Sequence, residues 1–376
     1  MELETLISEE FPQREGLIYL NHAGVAPWPR RTAEAVKLFA EENVTRGPVD
    51  YALWLGVERK LREQLRQLLN APAADDIALL KNTSEGLSVI AYGLSWQRGD
   101  NIVISDQEFP SNRIVWESLQ DLGVEVRAAN LDAESIPEDA IFKCVDDRTR
   151  LIAVSSVQYA TGLRMDLKRL GGHCHDRDIR FCVDAIQSLG AFSMDVQDIH
   201  ADFVVADGHK WMLGPEGVAV FYCRPELRDE LKLRQYGWHM VENHGDYDRK
   251  DWEIATGARR FECGSPNMLG IHAMQASLSL LHEIGITSIS ARIEHIVQRF
   301  INGITDSDRM QLLSPQEPER RAGIIAFRNK QHDAAEILQS LLKRNVICAV
   351  RGGAIRLSPH FYLDDDQIDT VIGYLG

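Results

Sequence analysis

Residues 203–222, FVVADGHKWMLGPEGVAVFY, set an aspartate, a histidine and a lysine between two apolar runs. The runs 203–205 and 218–222 read as buried strands. Asp207, Gly208, His209 and Lys210 fill the start of the connection, and a Gly-Pro-Glu-Gly turn at 214–217 ends it. Strands spaced so closely can pair as an antiparallel element within a larger sheet. The charges are either ordinary loop polarity or chemistry. A lysine held in a cleft loses proton affinity and can form a Schiff base with a carbonyl.

Further apolar runs lie upstream, at Ile77–Leu80 and at 101–104, 151–155 and 180–183. Helical spacing recurs between them. Leu87, Ile90, Ala91 and Leu94 follow Thr83 and Ser84; Ile114, Trp116 and Leu119 follow Pro110, Ser111 and Asn112. Strand, turn and helix at this rhythm predict an α/β fold with a mostly parallel sheet. The texture changes after Phe261. Helices are predicted over Met268–Ile284, 287–304, Ala334–Lys343 and 364–376, with short strands at 323–328, 346–350 and Ala354–Leu357. That is an α+β unit of about one hundred residues, within domain size.

The bulk numbers bound the function. The chain has 376 residues, 44% hydrophobic and 26% charged, the balance of a globular protein. A net charge of -15 argues against non-specific binding to nucleic acid or anionic membrane. The N-terminus MELETLISEEFPQREG has no apolar core of a signal peptide, and no run of about 18 apolar residues reads as a membrane span. The six cysteines are scattered without a CxxC pair, so a cytoplasmic enzyme with reduced thiols is expected. GGHCHD (171–176) places His173, Cys174 and His175 too contiguously for spaced zinc ligands, and no metal is expected.

The carbonyl cofactor that suits a buried lysine is pyridoxal 5'-phosphate (PLP). Its ring nitrogen needs a carboxylate. Asp184 ends the strand in FCVDAIQSLG, where open α/β sheets place ligands, and Gln187 follows three residues later within reach of the phenolic oxygen. Its phosphate needs a helix start, and Thr83 and Ser84 supply one. Phe109 in QEFPSN offers an aromatic face. Arg351 and Arg356 in AVRGGAIRLSPHFY offer planar forks for a substrate carboxylate. Singly, each has a bland reading: a helix cap for Asp184, Thr83 or Ser84, a core side chain for Phe109, exposed strand charges for the arginines. Their order along the chain, each at a strand end or loop, gives the set its weight.

With these residues in view, the chain resembles the class V aminotransferase family of fold type I PLP enzymes. That family includes cysteine desulfurases, selenocysteine lyases and isopenicillin N epimerase-like proteins. The resemblance runs from about Leu17 to the C-terminus through YLNHAG (19–24), NTSEG, EFPSNRIVW, VQYATG (157–162), VDAIQSLG, DGHKWMLGPEGVAVFY, RRFECGSPN (259–267) and VRGGAIRLSPHFY. It implies a large PLP-binding domain over 21–260 with a mostly parallel sheet of the seven-stranded type. It also implies a small α+β domain over 261–376 and an N-terminal arm, 1–20, packing with the small domain.

The resemblance further implies that Lys210 holds PLP, Asp184 pairs with the ring nitrogen and Gln187 with the phenolic oxygen. Phe109 stands where many relatives stack a histidine. Thr83, Ser84 and His209 would bind phosphate, joined by Ser265 from the other subunit of a homodimer with a shared active site. Asp207 stands where desulfurases usually carry a serine; it is expected to turn away or to pair with a nearby His or Arg. Asn21, His22, Ala23 and Gly24 would line the substrate side, with Arg351 and Arg356. Gln158 or Tyr159 would face the ring. The implied activity is that of a transaminase or lyase acting on an amino acid. Desulfurase or selenocysteine lyase-like activity, an epimerase and a non-catalytic binding protein are the alternatives. Desulfurases carry a mobile-loop cysteine between the last arginine motifs. Here only four residues separate Arg351 from Arg356, none of them cysteine, and Cys348 reads as a buried strand residue.

Overall fold

The computed structural model describes residues 3–375. Met1 and Glu2 of the expected arm, and Gly376 of the expected terminal helix, lie outside the described residues. The strands are β1 (Ile18–Tyr19), β2 (Ile77–Leu80), β3 (Asn101–Ser105), β4 (Glu125–Ala129), β5 (Thr149–Ser155), β6 (Arg180–Asp184), β7 (Phe203–Asp207) and β8 (Ala219–Cys223). They continue with β9 (Met310–Leu312), β10 (Ile325–Asn329), β11 (Val346–Ile347), β12 (Ala349–Arg351) and β13 (Ala354–Leu357).

Seven strands form one sheet in the order β2-β8-β7-β6-β5-β3-β4. Strand β8 runs antiparallel to both neighbours, and every other pair is parallel. The β7/β8 register sets Phe203 opposite Cys223 and Asp207 opposite Ala219. Strands of this kind are covered on both faces, so they read as continuous apolar runs. Alternate residues divide between two cores. Val103, Ile152, Val154, Val183, Val204, Ala206 and Val220 join one cluster with Leu61, Leu65, Met274 and Leu278. Ile102, Ile104, Leu151, Ala153, Phe203, Val205 and Phe221 join the other with Leu87, Ile90 and Trp116. Each such buried aliphatic side chain is worth about 1.5–3 kcal/mol of transfer free energy.

Helices are α1 (Leu3–Glu10), α2 (Arg30–Thr45), α3 (Tyr51–Leu69), α4 (Thr83–Gly93), α5 (Ser111–Glu117), α6 (Pro137–Lys143), α7 (Leu167–Asp176), α8 (Met268–Ile284), α9 (Ile286–Thr305), α10 (Ala334–Lys343) and α11 (Asp365–Leu375). Helix α8 packs on α2 and α3. Its Ser277 hydroxyl donates to Leu213 O and lies 2.6 Å from Thr32 Oγ1. The change of texture at Phe261 therefore does not coincide with a change of packing partner.

The second sheet is antiparallel, in the order β12-β13-β10-β9. Strand β1 pairs in parallel with β11, Ile18 opposite Val346, and Phe11 stacks on Tyr362 with ring centroids 3.8 Å apart. An ion pair from Glu10 to Arg31 ties the same N-terminal segment to α2. The predicted strand 346–350 is two strands in two sheets, broken at the buried Cys348.

Candidate active site

The parallel strands deliver polar residues to their carboxyl ends, as open α/β sheets do. Strand β6 ends at Asp184 and β7 at Asp207, with Lys210 in the loop that follows. That loop is tightly held. Gly208 N donates to Val218 O, and Gly214 N to Gly208 O, both at 2.9 Å. A Cβ on Gly208 would lie 2.7 Å from Met274 Sδ and 3.1 Å from Val218 O, so a side chain there would push Met274 aside. Beyond Lys210, Trp211 is buried. Its Nε1 donates to Gln187 Oε1 at 2.9 Å, and its carbonyl lies 3.1 Å from His360 Nε2. The lysine is thus anchored on both sides.

Lys210 is only 7% exposed. Its Nζ lies over the Phe109 ring, 5.5 Å from the centroid. Burial holds its amine below the ordinary lysine value; Asp184 opposes that shift, and Arg356 adds to it. Asp184 is 2% exposed and one of its oxygens accepts from Ile186 N at 3.0 Å. Burial raises its carboxyl, the Ile186 N–H opposes that, and the charge of Glu108 raises it further.

Phe109 is exposed, and its ring meets Tyr159 edge-on at 5.2 Å. Gln158 points elsewhere: its Nε2 donates to Ser105 Oγ and Glu108 Oε1 beneath the loop. Of the two, Tyr159 is the one beside Phe109. Thr83 and Ser84 open helix α4, capped by Asn82 Oδ1 accepting from Glu85 N. Thr83 Oγ1 accepts from Asp207 N at 3.2 Å. Gly86, one turn in, faces Val205 so closely that a Cβ would sit 2.6 Å from its Cγ1. The helix start is thereby pressed onto the end of β7. Asp207 Oδ1 is 3.0 Å from His209 Nδ1, although neither atom has a well-aligned hydrogen bond.

The second sheet brings in Arg356, which is 1% exposed. Its Nη1 donates to Tyr159 O and its Nη2 to Asn21 Oδ1, while Nε has no partner. Burial, with Arg351 nearby, pulls its guanidinium down to about 10. Arg351 is exposed, on the hairpin that carries Arg356. Ala23 O accepts from Gln187 Nε2 at 3.2 Å, and Gly24 follows it. His22 turns inward. Its Nδ1 donates to Ser358 O and its Nε2 accepts from Tyr362 Oη, so both nitrogens are spent in the core rather than on the substrate side. Burial pushes this imidazole well below its ordinary value. Ser265 lines a separate depression with Lys81, Glu85 and Gln235.

The Arg351–Arg356 segment is a hairpin. Arg351 pairs with Ala354 across Gly352 and Gly353, whose φ angles are +56° and +71°. Positive φ at both central residues is the primed two-residue turn of tight hairpins. No loop intervenes that could carry a mobile thiol. Cys348, at 7% exposure, has its thiol pushed up to about 12 by burial.

One group elsewhere has metal-ligand geometry: Glu58, His239 and Glu262, whose ligand atoms lie within 4.8 Å of one another. Arg62 donates to Glu58 at 2.5 Å and to both Glu262 oxygens at 2.8 Å. A guanidinium already takes the place of the cation there. The histidines of GGHCHD sit in the last turn of α7, His173 stacked on Phe142 and His175 on His200. Sequence reasoning missed Glu108. An acid next to a strand-end phenylalanine carries no distinguishing signal, yet it is 6% exposed and heavily hydrogen-bonded.

A sequence profile of the family Aminotransferase class-V matches residues 18–365. A probable cysteine desulfurase of Methanothermobacter thermautotrophicus is 30% identical over 97% of this chain and 95% of its own. An uncharacterized aminotransferase, YcbU, of Bacillus subtilis is 31% identical over 83% of this chain and 81% of its own. Among solved structures, the cystine C–S lyase C-DES superposes with a TM-score of 0.91 at 22% identity, covering 97% of this chain and 99% of its own. The last comparison concerns the fold alone. No helix among the described residues is long and apolar enough to cross a membrane. The chain belongs to the aminotransferase class-V family, and it is a PLP-dependent enzyme of transferase or lyase type.

Proposed function

We propose that this enzyme is a lyase acting on a sulfur-bearing amino acid, and that it releases the sulfur leaving group to solvent rather than onto an enzyme thiol. Lys210 would hold PLP, with Asp184 toward the ring nitrogen, Gln187 toward the phenolic oxygen and Phe109 against one face of the ring. Thr83, Ser84 and His209 would take the phosphate. The residues present fit the group. The lysine is nearly enclosed, and Arg356 Nε is a buried polar atom left without a partner in the same site. When bound, the pyridine ring supplies an electron sink for charge developing at the substrate's α-carbon.

The chain's own groups do the rest. Arg356 takes the α-carboxylate through a preset fork, with Arg351 at the rim. Lys210 Nζ would be the group that accepts the substrate's α-proton. Burial lowers the proton affinity of its amine, which favours that role. Asp184 keeps a proton on the ring nitrogen. The Cβ–S bond then breaks, and the sulfur departs with its electron pair.

The observation that carries the reading is the primed turn at Gly352 and Gly353. It closes off the place where a sulfur-accepting cysteine would stand. The relatives named as cysteine desulfurases support a sulfur amino acid as substrate. Holoenzyme given cystine or cysteine should produce pyruvate and ammonia with low-molecular-weight persulfide or sulfide. A persulfide found on any of the six cysteines during turnover would overturn this reading.

A homodimer sharing its active sites is part of the proposal. Tyr236, Trp238, Tyr247 and Trp252 expose an aromatic patch, with Tyr236 packed on Trp252 and Trp238 on Tyr247. Such patches mark interaction surfaces. Ser265 lies on the adjoining chain segment and would reach the phosphate of a second copy. Sedimentation of a monomer that still binds PLP tightly would count against it. The six unpaired cysteines support a reducing, cytoplasmic setting.

A further inference from the structure

Glu108 is a buried carboxylate with an unusual shell. Its Oε1 accepts from Ser105 Oγ at 2.7 Å, Ser155 N at 3.0 Å and Gln158 Nε2 at 3.2 Å. Its Oε2 accepts from Ser155 Oγ at 2.5 Å, Asn112 Nδ2 at 2.8 Å and Ser155 N at 3.0 Å. All six contacts come from neutral groups. Asn112 is held in this orientation because its Oδ1 accepts from Trp116 Nε1 at 3.0 Å. Backbone N–H and amide donors cannot reverse roles, so the shell is built for a carboxylate that accepts at both oxygens.

The placement matters as much as the shell. Ser105 ends β3 and Ser155 ends β5, while Asn112 opens α5 and Gln158 follows β5. Ser155 stands opposite Asp184 in the register of β5 and β6. Glu108 therefore ties the ends of β3 and β5 to the first turn of α5, one strand over from Asp184. It also immediately precedes Phe109, whose ring lies under Lys210 Nζ. A buried anion held only by neutral dipoles keeps an outward field that an ion pair would cancel.

We propose that Glu108 is a positioning residue for the cofactor site: it pins the loop that presents Phe109, and it adds a second negative charge behind Asp184. This rests on Lys210 carrying PLP. The charge acts in concert with Asp184 to favour the protonated ring and the protonated Schiff base. The charges that act on Lys210 are those of Asp184, Asp207, Arg351 and Arg356, and those that act on Asp184 are Glu108 and Lys210.

The test is a pH titration of the Schiff-base absorbance in holoenzyme, with PLP affinity measured by titrating apoprotein. Wild-type protein without a Schiff-base band would defeat the lysine assignment itself, independently of Glu108. Given that band, Glu108→Gln keeps the shape and removes the charge. Its titration midpoint is expected to fall by about half a pH unit or more, since two cationic centres lose a nearby anion. PLP affinity is expected to fall about tenfold. Glu108→Asp retains the charge, and its midpoint is expected to lie closer to wild type. Should Glu108→Gln not fold, Ser105→Ala and Ser155→Ala serve instead. Each strips a compensating hydroxyl dipole from the carboxylate, so the midpoint should rise. A midpoint unmoved in the folded variants, even with lowered thermal stability, would leave Glu108 a structural residue only and overturn the proposal.

Discussion

Asp207 and His209 face each other across Gly208, Oδ1 to Nδ1, at 3.0 Å. An acid beside a phosphate site is electrostatically adverse unless a cation or a donor stands between them. In the proposed site His209 would be that intermediary, its Nδ1 beside the carboxylate and its Nε2 left for the phosphate. His209→Ala is predicted to weaken PLP binding about tenfold, roughly 1.4 kcal/mol. Asp207→Ser should cost less on its own. If the two act as a unit, the double mutant should depart from additivity by about 1 kcal/mol. Strictly additive losses in absorbance titrations of the apoprotein would show that the residues work independently.

Asp184 and Lys210 make apoprotein stability depend on pH in opposite directions. The folded state raises the Asp184 carboxyl from its ordinary 3.8, so it keeps a proton that the unfolded chain has released. Stability from this group falls as pH rises from about 4 through the raised value. The folded state lowers the Lys210 amine from 10.5, so the unfolded chain binds the extra proton. Stability from this group rises as pH climbs from the lowered value to about 10.5. Apoprotein should therefore show a shallow minimum near neutral to mildly alkaline pH. Asp184→Asn with Lys210→Met should flatten it. Urea unfolding at about pH 5, 7.5 and 10 measures the effect, and an equally deep minimum in the double variant would refute the assignment.

Cys348 should be dispensable. Its thiol is buried between β11 and β12, and burial pushes it far above neutrality, so little thiolate forms. Cys348→Ala is predicted to leave the turnover number within about twofold while costing about 1 kcal/mol in stability. The neighbouring turn behaves oppositely. Gly353→Val places a β-branched residue at a φ of +71° and should cost about 1–2 kcal/mol or more, read as a lowered urea midpoint. Abolished turnover in Cys348→Ala would reinstate a thiol mechanism.

Arg356 tests the carboxylate fork. Arg356→Lys keeps the charge but loses the planar pair of donors that Tyr159 O and Asn21 Oδ1 hold in place. KM for an amino acid should rise about tenfold or more, while the exposed Arg351→Ala changes it by less. Equal effects from both would mean that burial does not set the contribution of each arginine.

Much of this site was legible because strands buried on both faces leave unbroken apolar runs, and the residues that end them stand out. The 203–222 hairpin, Asp184 and the helix start at Thr83 were read that way. Strand β4 was not, because it lies at the sheet edge and carries the exposed Glu125 and half-exposed Arg127. Helix α2 was also missed: Thr32 is its one fully buried residue, so its apolar stripe is faint. Residue type does not reveal direction. His22 lies in a matching motif, yet faces Ser358 and Tyr362. Glu108 looks like any loop acid until Ser155 and Gln158, distant in sequence, converge on it with Ser105.

The adjacent glycines of α7 separate packing from propensity. Gly171 presses against the backbone: a Cβ there would lie 1.7 Å from Ile199 O and 3.2 Å from Phe181 Cδ1. Neither can yield cheaply, since Ile199 is backbone and Phe181 is fully buried. A Cβ on Gly172 meets nothing within 4 Å. Both sit inside a helix, where alanine is favoured over glycine by about 0.5–1 kcal/mol. Gly172→Ala should therefore stabilise the protein by roughly that amount. Gly171→Ala should destabilise it by about 3 kcal/mol or more, as overpacking against an immovable neighbour does. Urea unfolding of the two variants side by side decides the matter. Similar shifts in the same direction would mean that α7 is free to move off the sheet, and that the close approach of helix to Ile199 does not constrain the fold.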